Sequence, residues 1–539
     1  MSPPPVLRDL ADWAVGLRWD DVPGAVREAA KDQVLSTLAA VHYGYRSPLG
    51  QPIARAFAPP APGNARVLPT GAPAQPPQAA FLMAAWSMVL DYDDVMLGGH
   101  TGHSSVLVPW AHAREHSGRD LLLAQIVANE IAARINMVCA VGSTRGQMAT
   151  HLHLIAAAAA RARLVGLSAE SYAEALSFAL SYPAEALFPA FLGSDAKALC
   201  AAWPIRMGLD AVAAVGQGLR AATDPLDDPR GFFASRATVP VREFLGGLGE
   251  RWHTLTNSFK AYPACGYLEA VLEAAEALSR QSPKNPDEIS RVRVKASIFT
   301  VGMDAHSEPY LDGGRSPLVA LTFSTPYTVA CALLDGGLRP EHLAPPWTED
   351  PQVWELAGKV QVEHDFDRTL AALVADIPIG AALRRVKPWQ AAGFGLALAG
   401  KAWGRFGRWR RPWLTTRLAL ALGRAAGRRE PLDLSRSTKP LGAEVTVITG
   451  DGRRLRQTVD TPRGFAGGDG PAEIRRLMRQ KFLDATREDL GARADRALTD
   501  LERLDRLSAD EVRHLVELLC FTASQVPQPE LAEPVRSAS

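Results

Sequence analysis

Apolar residues recur at three- and four-residue intervals through the first half of the chain, the spacing of one face of an α-helix. Leu7, Leu10, Ala11, Trp13, Ala14 and Leu17 set the period. Val26, Ala29, Ala30, Val34, Leu35 and Leu38 continue it after Asp21-Val22-Pro23, where proline suits a first helical turn. Residues 46–76, rich in Pro, Gly and Ala, read as loop and turn. From Gln78 to about Gln217 the helical period returns, with an alanine run at Ala156–Ala160 that favours helix and close packing. Beyond about residue 250 the pattern changes. Val292, Val294, Ala296, Ile298 and Thr300 alternate with a period of two, which predicts a strand over 289–301. Residues 444–449 and 455–459 alternate on either side of Gly450-Asp451-Gly452 and predict a β-hairpin. Helices are expected at 268–278 and 329–334, and again from Pro471 to Ala523. The fold class expected is mostly α with an α+β insertion. An all-helical domain is built from the N-terminal (1–255) and C-terminal (465–539) segments, and an α+β domain (256–464) is inserted between them.

One polar stretch breaks the apolar run. Asp91-Tyr92-Asp93-Asp94 is followed by Gly98-Gly99-His100-Thr101-Gly102-His103, between the apolar segments 79–90 and 106–113. Carboxylates and imidazoles between two buried segments are costly unless paired or used. The stretch is either a hydrogen-bonded helix end or part of a site. Asp91, Asp94, His100 and His103, with His151 and His153, also invite a metal reading. Histidines two apart on a helix face different ways, and there is no His-Glu-x-x-His and no close cysteine pair. No metal is assigned.

The 539 residues suffice for two or more domains, and the net charge of +1 argues against a chain-wide role in binding polyanions. The five cysteines are widely spaced, which argues against a disulfide framework. The N-terminus lacks a basic start and apolar core, and no apolar run reads as a membrane span, so a cytoplasmic location is expected. Residues 381–429 hold twelve Lys/Arg and no Asp or Glu, with Trp389, Trp403, Trp409 and Trp413 interleaved. A solvated insertion is the first reading of this segment, contact with a membrane surface or a partner the second, and nucleic acid the last.

Several segments, in order, resemble the MmgE/PrpD family of dehydratases, decarboxylases and an epimerase. They are Leu-Asp-Tyr-Asp-Asp at 90–94, His-Ser-Ser-Val-Leu-Val-Pro at 103–109 and the alanine-rich 156–167. Lys197-Ala-Leu-Cys, Phe259-Lys260-Ala-Tyr-Pro-Ala-Cys265-Gly, Phe323-Ser-Thr-Pro-Tyr327 and Lys481-Phe482 follow. The resemblance implies a homodimer in which a helical domain carries an α+β lid. It also implies a small-molecule di- or tricarboxylate substrate, no metal and no organic cofactor. Chemistry beside a carboxylate needs cations for the carboxylates and a general acid–base pair. The motif positions assign Lys197 and Lys260 to carboxylate binding, and His103 with Asp91 and Tyr327 to proton handling. Asp94 and His100 support them, and with Gln147, Cys265 and Glu269 they are expected to bind the substrate. Gln147 and Glu269 stand where members often have histidine, Cys265 where some do, Cys200 replaces a histidine, and Val95 stands where many have threonine. Both lysines and His103 are kept, which implies the same charge-holding cleft with different proton chemistry. The expected function is a cofactor-independent lyase of a small polycarboxylate. The alternatives are an epimerase or isomerase in the same cleft, or a non-catalytic homologue docking a partner through 381–429.

Overall fold

In the computed structural model of the protein the described residues are 6–142, 146–147, 150–375, 378–393, 416–417, 419–420, 423–424, 426 and 432–522. Most of the basic 381–429 segment, including Trp403, Trp409 and Trp413, lies outside them, as does the side chain of Gln147. The fold is mostly helical with small sheets.

The helix Gly24–Arg46 begins after Pro23, as the sequence predicts. It is buried along most of its length, although it carries Asp32, Gln33, Ser36 and Thr37. Helices Pro76–Val89, Gly118–Val138, Thr150–Leu164 and Ala202–Gly216 pack around one another. In Pro76–Val89 every residue from Ala79 onward is buried, the mark of a central helix rather than a surface one. Gly118–Val138 has the length and hydropathy of a membrane span, but 94% of that window is buried among its neighbours. The stretch Asp195–Gly216 passes the same test with 61% buried.

The two ends of the chain meet. Helix Pro471–Leu490 lies along Gly24–Arg46. There Arg475 pairs with Glu28 and Asp32, and Arg46 reaches the Ala485 carbonyl at 2.9 Å.

The larger sheet has four strands in the order Arg454–Val459, Ala443–Thr449, Ile289–Ala296, Val360–His364. The first three run antiparallel to their neighbours, with Leu455 opposite Val447 and Val294 opposite Val445. The fourth is parallel to the third. Helix Glu269–Ser279 lies against the hairpin and Thr325–Asp335 against the parallel strand.

Three local expectations change. The strand read over 289–301 ends at Ala296, and Ile298–Ser307 is helical. Ile298, Phe299 and Val301 satisfy a helical face as well as an alternating one, and the Ile298 N–H is capped by Thr369 Oγ1 at 2.9 Å. Residues 46–76 contain a short helix, Gly50–Ala56, and a two-stranded ribbon, Ala65–Val67 with Ala72–Ala74. Strand Val360–His364 was not among the expected elements, although Val360 and Val362 alternate with Gln361 and Glu363; the signal is only four residues long.

A second, very short ribbon matters most for the site. Asp94–Val95 pairs antiparallel with Ser258–Phe259. It brings the polar stretch after Pro76–Val89 beside the segment carrying Lys260.

Candidate active site

Helix Pro76–Val89 stops at Leu90, and Asp91 follows with φ +51°. Among the described residues it is the non-glycine residue with positive φ. A left-handed aspartate is strained by on the order of 1 kcal/mol. The strain is offset by two ion pairs. Lys197 meets Asp91 Oδ1, and Lys260 Nζ lies 2.8 Å from Oδ2 and 2.7 Å from the Asp91 carbonyl. Lys260 also reaches Asp93 Oδ1 at 2.6 Å.

Asp93 is the hub for the imidazoles. Its Oδ2 lies 2.9 Å from His103 Nε2 and 2.6 Å from His100 Nδ1. His103 is fully buried, whereas the His100 side chain keeps 28% exposure at the rim. On the far side of the His103 ring, Nδ1 is 2.7 Å from Ser87 Oγ. That hydroxyl has one proton and two acceptors within reach, His103 Nδ1 and the Ala84 carbonyl at 2.9 Å. Given to His103, the proton leaves a neutral imidazole donating to Asp93. Given to Ala84, it leaves His103 donating from both nitrogens.

The electrostatics are those of a charged cluster out of water. Burial alone would raise Asp91, but Lys197 and Lys260 outweigh it and hold its carboxyl below the ordinary range. Asp93 is held well below it, against burial, by Lys260, His100 and His103. Burial works against the Lys260 ammonium, yet the two aspartates keep it firmly charged. His153 packs 5.6 Å from the His103 ring, with Nδ1 3.2 Å from Ser104 Oγ. Burial, then His103, pushes His153 far below the usual imidazole range.

Lys197 sits on a short 3₁₀ turn, Asp195–Leu199, with its ammonium 5.0 Å from the centroid of the Phe323 ring and 5.6 Å from that of Phe191. Among the described residues its one hydrogen bond goes to Asp91. An ammonium has three donors, so two of its N–H groups have no acceptor among the described residues, which is costly unless a ligand takes them.

The residues singled out in the sequence divide as follows. Asp91, Lys197, Lys260, His103 and His100 come together. The carboxylate that holds His103 is Asp93 and not Asp91, the aspartate paired with it for proton handling in the sequence. Asp94 turns the other way, under the site, where Gln33 Nε2 holds it at 2.8 Å. A Cβ at Gly102 would lie 2.0 Å from Asp94 Oδ1, so this approach needs glycine. Burial, then Asp93, pushes Asp94 up. Cys265 is buried near the cluster, and burial raises its thiol to about 12. Glu269 Oε2 accepts from the Ala261 N–H at 2.8 Å, while Oε1 has no partner among the described residues. Burial raises it to about 8. Gln147 lies on the short strand Gly146–Gln147, paired with Ala186–Leu187. Tyr327 does not join the cluster: its hydroxyl donates to the His342 carbonyl at 2.5 Å and its ring packs on Trp354. His151 turns to Phe232, away from His153.

Sequence reasoning did not assign roles to Ser87, Asp93 or His153. Asp93 lay in the motif itself, and His153 in the first turn of the buried helix Thr150–Leu164. Lys481 carries a signal of its own: it falls between Met478, Phe482 and Ala485 on the buried face of its helix.

A mostly helical chain thus buries two lysines, two aspartates and an imidazole around one turn. The chain belongs to the MmgE/PrpD family: the MmgE/PrpD N-terminal domain matches residues 8–241 and the C-terminal domain residues 262–374. Lys260 falls between the two matched segments. The chain is 28% identical over 393 residues to a cis-aconitate decarboxylase of Aspergillus terreus, covering 67% of this chain and 79% of that one. A cis-aconitate decarboxylase-like protein of Aspergillus oryzae, oryM, is 24% identical over 396 residues, covering 67% and 81%.

Proposed function

We propose that the protein is a cofactor-independent lyase acting on a small di- or tricarboxylate by proton transfer beside a carboxylate. The observation that carries this reading is the continuous buried chain Ser87–His103–Asp93–Lys260–Asp91–Lys197. It joins a proton-transfer group to an ammonium with two donors to spare. The family and the relatives named cis-aconitate decarboxylase support a lyase.

Lys197 takes a substrate carboxylate with its open N–H groups, and Lys260 holds Asp91 and Asp93 in place. In decarboxylation the bond to the departing carboxylate breaks and carbon dioxide leaves. The electron pair stays on the substrate carbon, spread toward a neighbouring carboxylate and stabilised by the ammonium charges. His103 then delivers a proton to that carbon. In dehydration His103 removes the α-proton and a second donor, His100 at the rim, protonates the leaving hydroxyl.

The second reading, an epimerase, is favoured by one observation: two imidazoles share one carboxylate, so a proton can be taken by one and returned by the other. Deuterium incorporation without loss of water or carbon dioxide would select it. The α+β segment is proposed as the lid of a cytoplasmic homodimer on the strength of the resemblance. Mass spectrometry of products from citrate-, aconitate-, aspartate- and succinate-like acids tests the main reading. Full activity in both H103A and K197M would sink it.

A further inference from the structure

Two more lysines, Lys439 and Lys481, are buried against the site, and both lie beyond residue 374, where the match to the C-terminal domain ends. They act on the ribbon Asp94–Val95 with Ser258–Phe259, which is extended by the Lys260 N–H to the Asp93 carbonyl at 3.2 Å. A ladder this short is not stable alone, and the carbonyls where it stops need donors. Lys481 Nζ stands at one end. It donates to the Tyr92 carbonyl at 2.9 Å on one strand and to the Lys260 carbonyl at 3.3 Å on the other. Ser36 Oγ takes its third donor at 3.1 Å, and the charge lies 3.8 Å from the centroid of the Tyr92 ring. Lys439 Nζ stands at the other end, donating to the Val95 carbonyl on one strand and, at 2.9 Å, to the Thr256 carbonyl of the 3₁₀ turn His253–Thr256 that leads into the other. Glu269 takes the Ala261 N–H at 2.8 Å, so the Lys260–Ala261 peptide is gripped on both sides.

Each lysine bridges one carbonyl from each of the two segments that form the ribbon and its flanks. Burial pushes both ammonium groups down to about 7, against the pull of Asp94 on Lys439 and of Asp93 and Glu269 on Lys481. That cost is out of proportion to filling space, which methionine would do without it.

We propose that Lys481 and Lys439 are positioning residues, stapling opposite ends of the ribbon that carries Asp93 and Lys260 and so setting the spacing of the charges that meet the substrate. The proposal rests on the reading of Asp91, Asp93, Lys197 and Lys260 as the substrate-facing charges. Misplacing a charge by about 1 Å costs about 100-fold in rate, so K481M should lower kcat by that order while KM changes little. K439M acts farther from Lys260 and should lose about tenfold by the same argument.

The test uses the full-length protein, with K197M as the control, and reads kinetics together with amide hydrogen exchange by mass spectrometry. In K481M and K439M, exchange should speed up about tenfold or more in 92–97 and 256–261, on the scale of a local opening. It should stay unchanged in Gly118–Val138. K197M should lose turnover with the wild-type exchange pattern. Wild-type kcat and exchange in both lysine variants would overturn the proposal. So would uniformly faster exchange or loss of the whole fold, which would make them ordinary core residues. If the wild type turns over no carboxylate, the lyase reading fails, while the exchange comparison still decides whether the staples exist.

Discussion

His103 Nε2 lies 2.9 Å from Asp93 Oδ2, and the same Asp93 reaches Lys260 through its other oxygen at 2.6 Å. One carboxylate thus fixes both the proton carrier and a cation. Asp93→Asn keeps the size but lets the amide turn its N–H₂ toward an imidazole nitrogen, favouring the wrong tautomer. Turnover should fall by about 10³-fold or more, as when an orienting aspartate is neutralised beside a catalytic histidine. Steady-state kinetics on a folded variant checks this, and a loss below tenfold would free Asp93 from the role.

Lys197 and Lys260 share Asp91 but should respond differently to substitution. K197M leaves Asp91 with Lys260 and takes away the donors that face the aromatic walls. Its kcat/KM should fall by about 10²-fold or more, the scale of losing a charged contact of 3 kcal/mol. Thermal unfolding should stay near that of the wild type. K260M removes a cation from two buried aspartates, and breaking such a pair costs about 3–5 kcal/mol, so its melting temperature should drop visibly.

Glu269 gives the stability of the fold a pH dependence. Its carboxyl is raised to about 8 by burial, from an ordinary value of 4.5. Between these values the folded state holds a proton that the unfolded state has lost. The stability it contributes is therefore complete below about 4.5 and is lost as pH rises to about 8. Glu269→Gln keeps an acceptor for the Ala261 N–H and removes the titration. Its denaturation midpoint should fall less than that of the wild type between those limits, by an amount on the order of a few kcal/mol at the upper end.

Much of this site was legible because its residues sit in recognisable strings. Lys197, Lys260, His103 and Asp91 each lay in a motif, and helical periodicity located most of the surrounding helices. The assignment of partners was not legible. Asp91, Asp93 and Asp94 follow one another in an irregular turn with no period, so nothing in their spacing says which faces His103. The left-handed Asp91 sends its side chain to the lysines, and the ribbon with Ser258–Phe259 puts Asp93 beside Lys260 while Asp94 points below. Tyr327 matched a motif too, yet its hydroxyl is taken by the His342 carbonyl. Lys481 was readable on stricter terms, since a lysine on an apolar helix face must be paired or used.

Lyase chemistry on a small polycarboxylate by the buried chain from His103 to Lys197 is tested most directly by mass spectrometry of cis-aconitate and related acids incubated with the wild type, H103A and K197M, each verified as folded. Loss of carbon dioxide or water from one such acid is expected with the wild type and no product with either variant. Undiminished product in both variants, or no conversion of any of these acids by the folded wild type, would contradict this role.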